Sequence, residues 1–131
     1  MAEIVIICPG DRESMVVSLH EASQLKGGGA DVAVFFEWGA LIAFAERKFE
    51  FSPSVARYAA TMEENAKKMG LATDPMDNLK TAKAAGIPTY GCAVEAALLG
   101  IREKVPPEIQ LMELPDSTKL LAEAKKVIGG F

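Results

Sequence analysis

Apolar residues fall along this chain in two alternating patterns. Glu3 to Cys8 reads Glu-Ile-Val-Ile-Ile-Cys, a β-branched run without alternation. Strands buried on both faces of a parallel sheet read this way. Pro9-Gly10-Asp11-Arg12 breaks the run. From Ser14 to Lys26 the spacing changes, and Met15, Leu19, Ala22 and Leu25 share one helical stripe. Gly27-Gly28-Gly29 ends that helix. Asp31 to Phe36 is a second buried strand, followed by Glu37-Trp38-Gly39 and a short helix through Leu41-Ile42 and Phe44-Ala45. Strand, helix and strand in this order make a βαβ unit with a right-handed crossover.

Residues 47–73 interrupt the alternation and predict a helical insertion. Ser52-Pro53 has the form of a helix start, with proline at the first position. Val55, Tyr58, Ala59, Met62, Ala66 and Met69 then recur at helical spacing until Gly70. Plain packing is the favoured role for this stripe, with a lid or an oligomer contact as alternatives. Asp74-Pro75 caps a further helix through Leu79, Ala82 and Lys83 to Gly86. A strand then runs to Cys92. The helix from Ala93 to Ile101 has Glu95 as its one charge and is apolar nearly all round, so it needs cover on more than one side. Past Pro106-Pro107, Glu108 to Leu114 reads as a strand and Thr118 to Lys126 as the last helix, started by Pro115-Asp116-Ser117. Residues 127–131 form an edge strand or a tail. The pattern predicts one α/β domain over residues 1–131, a three-layer α/β/α sandwich around a mainly parallel sheet of four or five strands.

Composition narrows the function. The chain has 131 residues, and half are hydrophobic, enough for a single core. Mean hydropathy is slightly positive, high for a small soluble monomer, which points to surface buried against other subunits. Net charge is −4, and the Lys and Arg residues are scattered, so a nucleic-acid partner is not expected. No apolar run reaches membrane-spanning length, and Ile4 to Cys8 is too short for a signal core. Two cysteines without signs of secretion indicate free thiols in a reducing cytoplasm.

Three strand ends bring the candidate chemistry to one edge of the sheet, where parallel sheets bind ligands. They carry Cys8-Pro9-Gly10-Asp11-Arg12, Glu37-Trp38-Gly39 and Tyr90-Gly91-Cys92. Cys92 stands where strand gives way to helix. The unpaired N–H groups and dipole of that helix favour a thiolate, which predicts a depressed pKa. A buried, inert small side chain is the competing reading. Cys8 either resolves Cys92, if their strands are neighbours, or simply finishes its strand. Arg12 either stabilises a thiolate or anion, or is solvated. Glu37 is a proton carrier or the polar end of a strand. Glu95 opposes the helix by raising the thiol pKa. The glycine triplet follows a helix and opens a strand, so it is a turn and not a phosphate cradle. His20 lies mid-helix, away from both cysteines. With one histidine and no Cys-x-x-Cys, no metal site is expected. No cofactor is expected either, since no dinucleotide fingerprint is present.

Three segments together resemble the DsrE/DsrF-like family of small sulfur-relay α/β proteins, most of all the branch labelled DsrE-like or peroxiredoxin-like. One is the first strand with its Ser14–Lys26 helix. The second is Val34-Phe-Phe-Glu-Trp-Gly-Ala-Leu41, similar to that branch's Phe-Phe-x-x-x-Gly-Leu turn. The third runs from Ala82 through Gly86-Ile-Pro-Thr-Tyr-Gly-Cys92, with Gly100-Ile101 after it. The resemblance implies that Cys92 accepts sulfur as a persulfide and passes it on. It also implies a trimer or hexamer of like subunits and exchange with a sulfur donor or acceptor protein. Ala93-Val94-Glu95 departs from the methionine-containing turn of that branch.

Overall fold

The computed structural model describes residues 2–129. Five strands form one all-parallel sheet in the order β4-β3-β2-β1-β5. They are β1 (Ile4–Cys8), β2 (Val32–Phe36), β3 (Thr89–Cys92), β4 (Gln110–Met112) and β5 (Lys126–Ile128). The helices are α1 (Arg12–Gly27), α2 (Gly39–Glu46), α3 (Pro53–Ala56), α4 (Ala59–Met69), α5 (Pro75–Ala84), α6 (Ala93–Leu99) and α7 (Leu114–Glu123). This is the expected α/β/α sandwich. None of these helices is long and apolar enough to cross a membrane.

Strand order determines which face each helix covers. The steps from β1 to β4 all run in one direction, so right-handed crossovers put their helices on one face. Ile6, Cys8, Val34 and Phe36 of the sheet pack there against Met15, Leu19, Leu41, Phe44, Leu79 and Ala96. The return from β4 to β5 runs the other way and places α7 on the opposite face. There Leu120 covers Val5, Ala33, Phe35 and Cys92, with Ile7, Tyr90 and Met112 partly buried around them. β2 is central and buried at all five positions, which explains its unbroken apolar sequence.

Three expectations need correction. The helix predicted from Ser52 to Gly70 is two helices. At Tyr58 the bonding tightens to three residues (Tyr58 N–H to Val55 O, 2.8 Å), which turns Val55 out of line with α4. The stripe is not core packing, because only Ala66 is buried and Met69 is 70% exposed. The fourth strand is shorter than Glu108–Leu114, and α7 starts at Leu114, with Glu113 before it, so Lys126 belongs to β5. β5 pairs with β1 as an edge strand. Gly130 and Phe131, included in the edge-strand or tail reading, lie outside the described residues.

Gly91 is a point of close approach. A Cβ there would lie 2.7 Å from Leu41 Cδ2, 3.1 Å from Ile109 Cγ2 and 3.2 Å from Leu111 Cδ2. Gly91→Ala is therefore expected to cost about 1–3 kcal/mol through overpacking. Chemical denaturation checks this, and an unchanged midpoint would show that the three side chains yield freely.

Candidate functional site

Parallel pairing brings the three turns to the carboxyl edge. Phe36 is level with Cys8 on one side and with Gly91 on the other. Cys92 is in turn level with Met112. The connection from β3 leads to α6 on one face, and that from β4 leads to α7 on the other. A crevice opens in an open α/β sheet where adjacent connections diverge in this way. Cys92 stands at this divergence.

The two cysteines are not brought together. β2 lies between their strands, so they are about 10 Å apart across the sheet. They also point to opposite faces, Cys8 into the larger core and Cys92 toward α7. Both are free thiols. A resolving pair would need two strands to move. Cys8 is fully buried, and burial pushes its pKa from 9.0 to about 12, with Ser18 opposing the shift.

Arg12 does not serve Cys92. Its Nη2 lies 3.1 Å from Glu63 Oε1, its Nε donates to Thr73 O at 3.0 Å, and its guanidinium sits 4.8 Å from the centre of the Phe51 ring. Arg12 instead ties α4 and the segment after it to the start of α1. Glu13 makes a separate tie from α1 to the start of α3 by accepting from Ser52 N–H at 3.0 Å. His20 is half-buried on α1 with Nε2 3.0 Å from Ala72 O, as a helix-face residue should be.

Cys92 is the N-cap residue of α6 and 5% exposed. Its pKa is raised, not depressed as the strand-to-helix position predicts. Desolvation is the largest cause. The backbone N–H groups of Val94 and Glu95 favour the anion, while the Glu95 carboxylate opposes it by its charge and as an acceptor for S–H. An exposed helix terminus is worth about 0.3–1 kcal/mol, too little to offset burial beside a negative charge.

Glu95 is more central than its position in the sequence suggests. It is 8% exposed, and its Oε1 accepts the backbone N–H of Trp38 at 2.5 Å. Trp38 has φ 34° and ψ −102°, a strained conformation for a bulky residue that costs about 1–3 kcal/mol. The bond to Glu95 helps to hold it. Glu37 precedes Trp38, and its pKa is raised by desolvation and then by the charge of Glu95. The sequence signal for Glu95 was available: it is the one charge in an apolar helix, at the third position after the cap, where glutamate usually reaches back to the cap itself. Here it reaches across to the neighbouring turn instead.

A crevice of about 410 Å³ lies beside this group, lined by Ile7, Cys8, Pro9, Gly10, Glu37, Trp38 and Gly39. Trp38 is half-exposed at its edge. Gly10 lets the two turns meet, since a Cβ there would lie 2.8 Å from Gly39 C. Cys92 and Tyr90 do not line this crevice; Tyr90 is half-buried on the α7 face.

Burial of Cys8 has a consequence for stability at high pH. Its raised pKa keeps it neutral in the folded state after the unfolded chain has ionised. The stabilisation is complete below 9.0 and is lost as pH rises toward about 12. It falls by about 1.4 kcal/mol for each pH unit in that window. Denaturation of wild type and Cys8→Ala at rising pH should show the variant losing less stability. Parallel loss in both would mean that the Cys8 site admits the thiolate.

No family model matches the chain, and no curated protein matches it in sequence. Among solved structures, the crystal structure of the ychN protein from E. coli is similar, with a TM-score of 0.66 at 20% sequence identity, over 99% of this chain and 100% of that one. At this identity the likeness establishes the fold, which is DsrE-like, along the whole length of both chains.

Proposed function

We propose that this protein is a sulfur-relay protein that carries sulfur as a persulfide on Cys92, acting as a carrier or sulfurtransferase. The supporting observation is the position of Cys92, at the carboxyl end of β3 where the connections of β3 and β4 diverge, with two backbone N–H groups favouring its anion. The DsrE-like fold and the resemblance of the Ala82 to Cys92 segment favour the same reading. The relay requires a donor or acceptor protein and a reducing compartment, which we take to be the cytoplasm.

The chain is also proposed to form a homo-oligomer, a trimer or hexamer. Leu98 is 73% exposed on α6, Val94 and Leu99 are partly bare on the same helix, and Met69 projects from α4. A monomer gains nothing from leaving them in water. Sedimentation at micromolar concentration should give a species several times 14.0 kDa, and a sole 14.0 kDa species would remove the proposal.

A second reading has its own observation. Cys92 is nearly buried and its pKa is raised, as for a structural cysteine, and a crevice with an exposed tryptophan lies alongside. On this reading the protein is an oligomeric module that binds a small ligand. Mass spectrometry after exposure to a polysulfide donor separates the two. The relay reading expects one added sulfur on wild type and none on Cys92→Ser. No added sulfur on wild type, with slow alkylation of Cys92, would favour the binding module.

A further inference from the structure

We propose that Glu95 takes the proton of Cys92 as that thiol attacks a sulfane sulfur, and returns it to the departing thiolate. The inference rests on the sulfur-relay reading and deepens it. Glu95 is nine-tenths buried as a residue, and none of the ion pairs among the described residues involves it. One oxygen is fixed by the Trp38 N–H, and Glu95 stands in the first turn of the helix that Cys92 caps, three residues on. Gln at this position would satisfy Trp38 equally well without a buried charge. The charge disfavours the resting thiolate, so it is the wrong choice for a cysteine activated in advance. It is the right choice for a thiol that gives up its proton during attack, with the base already at hand.

The step balances with a hydropersulfide, R–S–SH, as the donor. The Cys92 sulfur bonds to the outer sulfur of the donor as its proton passes to Glu95. The S–S bond of the donor breaks, and its electron pair leaves on R–S⁻. Glu95 then returns the proton to give R–SH, and Cys92 ends as the persulfide. The Cys92 sulfur is oxidised, the R–S sulfur is reduced, and no further oxidant or reductant enters. Glu37 lines the crevice nearby, and its own pKa is raised by desolvation and then by the charge of Glu95.

The test compares wild type with Glu95→Gln, following Cys92 by peptide mass near neutral pH. Iodoacetamide reports the resting thiolate, and glutathione hydropersulfide reports sulfur uptake. Removing the charge should raise alkylation by about threefold or more, as for a thiol pKa lowered by half a unit. It should slow sulfur uptake by at least about tenfold, because the proton acceptor is gone. These opposite shifts are what a packing role would not produce. A parallel fall in both rates, or unchanged sulfur uptake, would overturn the role of Glu95 while leaving Cys92 as the carrier. Wild type that takes up no sulfur would instead overturn the relay reading itself. Where Glu95→Gln does not fold, the S–H stretching band of wild type decides. A Cys92 band below that of an unbonded thiol supports the proposal, and an unshifted band overturns it.

Discussion

Val34, Phe35 and Phe36 pair with a strand on each side at the same residue step, and this step positions every polar group at the carboxyl edge. Side chains alternate between faces, so a slip of one residue on β3 would exchange Gly91 and Cys92. The thiol would then point at Leu41, Ile109 and Leu111, where even a methyl group meets atoms within 3.2 Å. Lack of room on one face thus holds the thiol on the other. Packing in the larger core, which includes the edge-to-face pair of Phe36 and Phe44 at 5.1 Å, therefore determines the chemistry on the opposite side.

The two faces differ in cover. α1, α2, α5 and α6 pack on one, and α7 alone covers the other. A single helix does not close that face, so Ile7, Tyr90 and Met112 remain partly open around a nearly buried Cys92. Electrostatics at this spot follow from which charges come near it. Arg12, the cation that the sequence offers for a thiolate, is engaged with Glu63, Thr73 and Phe51. The charge that does come near, Glu95, is negative. A helix of seven residues with an effect of about 0.3–1 kcal/mol cannot reverse that balance.

The fold was legible because its signals are local. Unbroken β-branched runs, amphipathic stripes and glycine stops mark β1, α1, β2 and β3 within a residue or two, and parallel pairing then brings the three turns to one edge. The helix after Ser52 misled because its apolar spacing is correct while a core to receive it is absent: Met69 is exposed, and Met62 is half-buried outside both core clusters. Side-chain partners were not legible. The route from Arg12 to Glu63 spans 51 residues and that from Trp38 to Glu95 spans 57. No periodicity encodes such distances. Nor does composition reveal that Cys8 and Cys92 face opposite sides, which depends on the strand order.

α6 concentrates these tensions in two turns. It buries its one carboxylate and exposes Leu98, the reverse of what stability alone favours. Burying a charge costs free energy unless hydrogen bonds offset it, and the Trp38 backbone N–H supplies one of them. Sequences that serve only their fold agree across local pattern, packing and polar satisfaction, and departures gather where function is at work. Three departures meet at α6: the buried Glu95, the strained Trp38 that it holds, and the bare apolar side of the helix. A cysteine that merely fills space would need none of them. A thiol that must change protonation and meet a partner could use all three: a proton acceptor within, a fixed turn beside it, and an apolar face to dock against.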